Sequence, residues 1–258
     1  MVLAELLELA PGGLEEKALE GGLVEYAIYG APGELPTVGR IHAVAGDGLV
    51  EVITEEVAEG WETRWREFHR PVKVAGTVTI RPPWAPPSDT PIDVVIDPGQ
   101  AFGTGAHPTT RLCLELLLEL EASGPLVDLG CGSGVVAIVA ARLGYDPVLA
   151  LDNDPAAIQA ARENARLNDV EIQIRRHDLR MDRPQAAETT VANLLAPLLL
   201  SWAARLGDAP ELPRRLVVGG LLPSEAPRVA EAFAGQGLRE VDQRRSADWV
   251  ALRLASDT

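Results

Sequence analysis

A glycine-rich loop marks the part of the sequence best suited to bind a nucleotide-like ligand. Asp128 is followed by three glycines at alternate positions, Gly130, Gly132 and Gly134, between the apolar segments PLVDL and VVAIVAARL. Glycines let the backbone turn sharply and approach a ligand closely, and a following helix offers free N–H groups in its first turn. The frame that starts at Gly132 also reads G-x-G-x-x-A, so the loop alone admits a nicotinamide or flavin dinucleotide.

Acidic residues around this loop favour a methyl donor over a dinucleotide. A carboxylate at Asp128 would lie near a pyrophosphate and repel it, whereas it would attract the ammonium of a methionyl group and favour a nearby sulfonium. Asp152 ends the next apolar segment, PVLALD. A carboxylate at such a strand tip can accept hydrogen bonds from both hydroxyls of an adenosine ribose. We assign Asn153 to the same pocket, and Asp178, just after the following strand, to the adenine.

Asn193 is the candidate residue for the reacting group. It ends the segment TTVAN, at the carboxyl end of a predicted strand, where open α/β sheets hold their ligands. Its side-chain oxygen and the backbone carbonyl of Leu194 could accept hydrogen bonds from an amine and align the amine lone pair with a sulfonium methyl. From residue chemistry alone, a turn-forming asparagine is an equally good interpretation.

Alternating helices and short strands position these residues. From Thr109 onward the pattern is that of a doubly wound, Rossmann-like α/β domain. The predicted helices cover residues 109–122, 134–143, 155–167, 197–206 and 224–236. The predicted strands cover residues 125–129, 147–152, 170–177, 189–194, 214–219, 238–244 and 248–255.

The earlier part of the chain predicts a smaller unit and its connection. MVLAELLELAPGGLEE predicts a short helix stopped by Pro-Gly-Gly, and LVEYAIYG and GLVEVITEEV predict two strands. A further helix is predicted over residues 55–68, and the five prolines of RPPWAPPSDTP exclude regular structure there. We assign residues 1–56 to a small α+β domain, 57–90 to a linker helix and proline-rich connector, and 91–258 to the larger domain.

Composition limits the partners and the compartment. The formal net charge of −15 repels a phosphate backbone, so we expect basic protein partners and no direct contact with nucleic acid. The two cysteines are too few for a disulfide framework, and no cluster has the spacing of a metal site. No stretch has the length and apolarity of a membrane span or the pattern of a signal peptide. We therefore expect a cytoplasmic protein without a membrane partner.

Four separated segments, in the correct order, resemble one known family. They are DPGQAFGTGAHPTTRLCLELL, VDLGCGSGVVAIVAARLG, LDNDPAAIQAARENARLND and VANLLAPLLL. Over residues 60–258 the chain resembles the bacterial methyltransferases that modify large-subunit ribosomal protein eleven. The resemblance implies a class I S-adenosylmethionine-dependent fold. It also implies S-adenosylmethionine as the cofactor, with contacts that match Thr110, Gly130, Asp152 and Asn193.

The loop before the first predicted helix of the larger domain is expected to shape the substrate path. We assign Phe102 to the cofactor pocket, and Thr104 and His107 to the channel through which the amine enters. The family's small N-terminal domain grips the ribosomal protein, so the resemblance implies that residues 1–56 recognise the substrate. It also implies multiple methylation of amines, namely lysine side chains and an N-terminal α-amine.

Three alternatives remain open at this point. A protein lysine methyltransferase with a different target would keep the reaction and change the substrate. A dinucleotide-dependent oxidoreductase is supported by the ambiguous glycine frame and disfavoured by Asp128. A noncatalytic module would bind the ligand without turnover.

Overall fold

The chain divides into two compact units. The computed structural model describes residues 14–18, 24–28, 36, 41, 51–53, 69–98, 105, 107–246 and 248–256. One unit contains Met1–Glu67 and Gly99–Ala101, and the other contains Phe68–Pro98 and Phe102–Thr258. Among the described helices, none combines the length and apolarity needed to cross a membrane.

The first unit contains a two-stranded antiparallel sheet. β1 (Leu14–Ala18) pairs with β2 (Val24–Ile28). The strand predicted within LVEYAIYG is confirmed as β2, whereas β1 was not predicted, because the charged run in LEEKA hides any apolar alternation. Residues 51–53 of the other predicted strand are not in a strand. The predicted helices at the start of the chain and over residues 55–68 lie outside the described residues.

A three-stranded sheet opens the larger unit and corrects one prediction. β3 (Val72–Val74), β4 (Val78–Arg81) and β5 (Ile92–Val95) lie in that order, and β4 runs antiparallel to β3 and parallel to β5. Assignment of residues 57–90 to a linker is therefore wrong for β3 and β4, because Val74, Val78 and Ile80 are buried in the core of the larger unit. The proline-rich segment is irregular, as predicted, but it joins β4 to β5.

The main sheet has seven strands in the order β11-β12-β10-β9-β6-β7-β8. Its strands are β6 (Leu126–Leu129), β7 (Val148–Asp152), β8 (Gln173–Arg176), β9 (Thr189–Asn193), β10 (Arg215–Leu221), β11 (Leu238–Ser246) and β12 (Trp249–Ser256). All neighbours are parallel except at β12, which is antiparallel to both β10 and β11. The strand order reverses between β6 and β9, and ligands of open α/β sheets bind at such a reversal.

Five helices flank this sheet in the described residues. They are α1 (Pro108–Leu118), α2 (Val135–Leu143), α3 (Pro155–Leu167), α4 (Ala196–Arg205) and α5 (Ala226–Ala234). Each helix and strand predicted after residue 108 is confirmed with small shifts at its ends. The side chain of the N-cap residue caps two of these helices: His107 accepts from the N–H of Thr109, and Asp154 accepts from that of Ala156.

Two hydrophobic clusters lie on opposite faces of the main sheet. Successive residues of one strand belong to different clusters, as Val217 and Val218 do on β10. Because side chains alternate along a strand, the sheet separates the two clusters as the middle layer of an α/β sandwich. The predicted fold class, a doubly wound α/β domain, is confirmed.

Candidate active site

The predicted site residues gather where the strand order of the main sheet reverses. β6 and β9 are parallel neighbours, with Leu129 opposite Ala192. The glycine loop leaves the carboxyl end of β6, and Asn193 ends β9, so both occupy the same edge. This juxtaposition, which spans more than sixty residues of sequence, was expected from the parallel topology.

The glycine loop adopts a backbone that other residues would strain. Gly130, Gly132 and Gly134 have φ angles of 70°, 52° and 81°. A Cβ atom at Gly134 would lie 3.0 Å from Cβ of Ala161, and one at Gly130 would collide with Cδ2 of Leu194. The loop therefore packs closely against its neighbours and presents backbone to the site.

Side chains from both β6 and the loop accept hydrogen bonds at the start of α2, where Oγ of Ser133 accepts from the N–H of Val135 at 3.4 Å. Gly134 offers no side-chain cap, and Oδ2 of Asp128 accepts a hydrogen bond from the N–H of Ala137 at 3.2 Å. Asp128 is buried, and desolvation raises the pKa of its carboxyl to about 7, with the charge of Asp152 adding to the increase. A cationic ligand nearby would favour the ionised form of this carboxyl. Asp128 thus has a structural role in addition to the predicted electrostatic one.

Asp152 ties the glycine loop to the tip of β7. Its Oδ2 accepts from the N–H of Gly132 at 2.9 Å, and its Oδ1 accepts from the N–H of Asp154 at 3.0 Å. Each carboxylate oxygen keeps a further acceptor site, so two ribose hydroxyls can still be bound. The adjacent Asn153 is exposed, and its carbonyl accepts from Nε of Arg176 at 3.3 Å.

Asp178 lies in a turn that follows β8. Its Oδ1 accepts from the N–H of Arg180 at 2.9 Å, and its own N–H donates to Oδ2 of Asp182 at 2.8 Å. The guanidinium of Arg205 donates to the carbonyls of Leu179, Arg180 and Asp182 and so holds the same turn. Because β8 neighbours β7, this turn lies beside the tip that carries Asp152, as expected for the adenine side of the pocket.

Asn193 faces the first turn of α1. Its Nδ2 donates to Oγ1 of Thr109 at 3.2 Å and to Oγ1 of Thr110 at 3.4 Å, and both threonines are buried. Its Oδ1 is buried and has no hydrogen-bond partner among the described residues. A buried acceptor without a hydrogen bond lowers stability unless a ligand donates a hydrogen bond to it. Asn193 therefore carries an acceptor suited to an incoming donor such as an amine.

The backbone beside Asn193 is held by β10. The N–H of Leu194 donates to the carbonyl of Gly219 at 3.1 Å. A Cβ at Gly219 would lie 3.1 Å from Oδ1 of Asn193, and one at Gly220 would lie 2.6 Å from the carbonyl oxygen of Leu194. Two glycines thus permit the close approach of β10 to the two acceptors predicted to contact the amine.

His107 joins the site through Thr109. Its Nδ1 lies 2.8 Å from Oγ1 of Thr109, and its ring packs edge-on against Trp249 with centroids 5.2 Å apart. Burial, followed by the charge of Arg111, lowers the pKa of His107. The other two channel and pocket residues of this loop, Phe102 and Thr104, lie outside the described residues.

Sequence reasoning missed two residues that support the site. Thr109 links His107 to Asn193, and the HPTT sequence, with its N-cap and N1 proline, was the available signal. Asn164 on α3 donates to the carbonyl of Ser133 at 2.9 Å and accepts from the N–H of Asp97 at 2.9 Å, which braces the glycine loop. Burial raises the pKa values of Cys113 and Cys131, so neither thiol supplies a thiolate nucleophile.

This arrangement fits a nucleoside with a cationic methionyl group. The fit rests on the close-packed glycine loop, the carboxylate of Asp152 at a strand tip, and the buried carboxyl of Asp128. In the described residues, no group of side chains could hold a metal ion. The site can bind such a ligand and offer hydrogen-bond acceptors to a second molecule beside it.

Comparisons with known proteins match this chain to one family. A family model described as ribosomal protein L11 methyltransferase matches residues 39–257. Proteins named ribosomal protein L11 methyltransferase are similar to this chain in Pelobacter propionicus, with 38% identity over 78% of this chain and 68% of that protein, and in Escherichia coli, with 39% identity over 75% and 67%. The chain thus spans about two thirds of the length of these relatives.

Solved structures agree on the fold. A ribosomal protein L11 methylase from Lactobacillus delbrueckii superposes with a TM-score of 0.66 and 27% identity, covering 74% of this chain and all of that one. A tRNA (uracil-54, C5)-methyltransferase from Pyrococcus abyssi, solved with S-adenosyl-L-homocysteine, superposes with a TM-score of 0.52 and 20% identity over 63% of this chain and 42% of that one. The fold of the larger unit is that of class I S-adenosylmethionine-dependent methyltransferases.

Proposed function

Because the chain belongs to the ribosomal protein L11 methyltransferase family, we propose that it methylates lysine side chains or the N-terminal amine of ribosomal protein L11. Its cofactor is S-adenosylmethionine, in agreement with the family and with solved proteins of this fold that hold this cofactor or its product. The observation that carries the proposal is the unpartnered Oδ1 of Asn193 beside the glycine loop. An amine nucleophile would donate a hydrogen bond to this oxygen.

Binding of the donor would use the edge formed by β6, β7 and β8. We assign the ribose to Asp152, the adenine side to Asn153 and Asp178, and the methionyl ammonium to the neighbourhood of Asp128. The glycine loop and the first turn of α2 would line the remaining wall, with Thr110 and Asn193 at the end where the amine enters. S-adenosylmethionine supplies an electrophilic methyl group and a positive sulfonium beside the amine.

The protein must bind the amine in its neutral form. A lysine ammonium has an ordinary pKa near 10.4, so proton loss must be favoured within the site. Desolvation disfavours the ammonium, and a neutral His107 adds no base of sufficient strength. The main contribution of the chain is then alignment, in which Oδ1 of Asn193 and the carbonyl of Leu194 accept the N–H groups of the amine and direct its lone pair towards the methyl group.

The substrate is proposed to be a basic protein for electrostatic reasons as well. The net charge of −15 attracts lysine-rich partners and accelerates their encounter. We place the reaction in the cytoplasm, where ribosomal proteins are made and where the two buried free cysteines would stay reduced.

Asn193→Ala tests the assignment of the reaction centre. We expect a single-turnover methylation rate at least tenfold lower at saturating cofactor, with affinity for S-adenosylhomocysteine within about threefold, because the lost acceptor faces an amine that becomes positively charged as it is methylated. Rate and affinity are measured separately, by quenched flow and by calorimetry. A near-normal rate in a folded variant would remove Asn193 from the reaction.

We also infer that residues 1–56 select the substrate, because the predicted cofactor residues all lie beyond residue 90. A chain that begins at residue 55 should bind S-adenosylhomocysteine within a few-fold of the full chain, and its activity at subsaturating L11 should fall steeply. A tethered recognition domain raises the local substrate concentration to roughly millimolar, and deletion removes that gain. Equal activity of the two chains would assign recognition elsewhere.

A further inference from the structure

A chain of hydrogen bonds runs from the N-cap of α1 to the end of β9. Nδ1 of His107 accepts from the N–H of Thr109 at 3.3 Å and lies 2.8 Å from its hydroxyl oxygen. The same hydroxyl oxygen accepts from Nδ2 of Asn193 at 3.2 Å, across 84 residues of sequence. Three side chains from two elements thus share one buried hydroxyl.

The bond from the backbone N–H of Thr109 to Nδ1 of His107 fixes which group donates in each of the other hydrogen bonds. A backbone N–H can only donate, so Nδ1 of His107 is the acceptor and the ring proton lies on Nε2. The hydroxyl of Thr109 must then donate its single proton to Nδ1, and only its lone pairs face Asn193. A lone pair of the Thr109 hydroxyl can only accept, so the NH₂ group of Asn193 must face it. Oδ1 of Asn193 then points away from the Thr109 hydroxyl.

We propose that Thr109 is a positioning residue for methyl transfer, because its hydroxyl transmits the N-cap geometry of His107 to Asn193 and selects the amide orientation in which Oδ1 is left for the amine. This inference rests on the proposed function, since the amine is the group that Oδ1 would accept from. Thr109 itself touches neither the amine nor the cofactor in this account.

Packing holds the hydrogen-bonded side chains of His107, Thr109 and Asn193, here called the relay, in place. Trp249 on β12 packs edge-on against the ring of His107, and Thr109 has 2% of its surface exposed. The lowered pKa of His107 agrees with a neutral ring whose Nδ1 accepts two donors. With the amide reversed, the hydroxyl of Thr109 would have to donate to Oδ1, and Nδ1 would lose its stronger donor.

The lack of a side chain at Gly219 leaves room for the amide oxygen of Asn193. Oδ1 of Asn193 approaches Gly219 closely enough that a Cβ there would lie 3.1 Å away. No donor among the described residues meets Oδ1 on this side. A reversed amide would also withdraw the NH₂ group from the hydroxyls of Thr109 and Thr110, which both accept from it in this structure.

The test compares Thr109→Val, Thr109→Ser and Thr79→Val in the full chain. Valine keeps the shape and removes the hydroxyl, and serine restores the hydroxyl. Thr79 is an equally buried threonine on β4 whose hydroxyl accepts from that of Thr90 at 2.9 Å. Single-turnover rate on ribosomal protein L11 and affinity for S-adenosylhomocysteine are measured for each. We expect Thr109→Val to lower the rate roughly five- to tenfold with affinity within about twofold, as loss of one neutral hydrogen bond requires. Thr109→Ser and Thr79→Val should stay within about twofold of the wild type in both quantities.

A second readout needs neither substrate nor cofactor. Nitrogen-15 NMR of the imidazoles, with His107 assigned by its loss in His107→Gln, reports which ring nitrogen carries the proton. We expect an unprotonated Nδ1 with two donors in the wild type and in Thr109→Ser. In Thr109→Val we expect a shift towards a more weakly hydrogen-bonded Nδ1, which keeps only the backbone N–H of residue 109 as donor. A protonated Nδ1 in the wild type, or an unchanged rate in Thr109→Val, overturns the proposal. A wild type inactive on the ribosomal protein refutes the proposed function, and the nitrogen spectrum still decides the relay.

Discussion

Replacement of Asp152 by alanine should weaken cofactor binding more than it weakens the fold. The carboxylate holds the loop through the N–H of Gly132 at 2.9 Å and is proposed to accept the ribose hydroxyls with its remaining lone pairs. A hydrogen bond to a charged group contributes about 1.5–3 kcal/mol. Loss of one such bond raises the Kd for S-adenosylhomocysteine roughly 10- to 150-fold, and the freed loop adds to the effect.

The neighbouring Asp154 provides a matched control. It lies two residues away, and its Oδ1 caps α3 through the N–H of Ala156 at 2.9 Å. Asp154→Ala should lower the free energy of unfolding by about 1 kcal/mol, as loss of an N-cap does, and leave the Kd within about twofold. Calorimetry gives the Kd, and urea denaturation gives the stability of each variant. An unchanged Kd in folded Asp152→Ala, or equal weakening in both variants, would refute the assignment of the ribose to Asp152.

Three further outcomes concern stability and are measured by urea denaturation. The pKa of Asp128 in the folded protein, about 7, exceeds its ordinary value, so its stabilising contribution is present below about pH 4 and is lost as the pH rises through 7. Asp128→Asn should therefore gain stability relative to the wild type between pH 4 and pH 8. A stability difference that stays constant over this range would contradict the reasoning. Phe233→Ala should cost about 3–5 kcal/mol, since the ring is fully buried, while Val241→Ala at an exposed position should cost under about 0.5 kcal/mol; similar costs would contradict the packing. Gly134→Ala should cost about 1–2 kcal/mol because φ is 81° and the new Cβ would lie 3.0 Å from that of Ala161; an unchanged stability would contradict the strained loop.

Local signals were sufficient for the elements of the larger unit that follow residue 107. α3 was predicted over residues 155–167 and occupies those residues, because Asp154 and Pro155 form a strong start signal before an amphipathic run. β8 was predicted to begin at residue 170 and begins at Gln173, since its edge position leaves the flanking apolar residues outside the ladder. The carboxyl-end placement of Asp152 and Asn193 followed from the alternation of strands and helices.

Other features depend on contacts that local patterns do not encode. β3 and β4 were assigned to a linker because each has only three or four residues beside a proline-rich segment, and their burial against α1 and α2 is a tertiary effect. The role of Thr109 depends on a partner 84 residues away, so no spacing rule identifies it. The cap that Asp128 provides to α2 likewise became visible only once β6 and α2 were placed together.

The proposed methylation is tested by mass spectrometry of ribosomal protein L11 after incubation with the full chain and S-adenosylmethionine. We expect mass increments of whole methyl groups on lysine side chains or on the N-terminal amine. These increments should depend on enzyme and cofactor and be strongly reduced with Asn193→Ala. Peptide fragmentation locates the modified amines. An unmodified ribosomal protein, in the presence of enzyme shown by calorimetry to bind S-adenosylhomocysteine, would contradict the account.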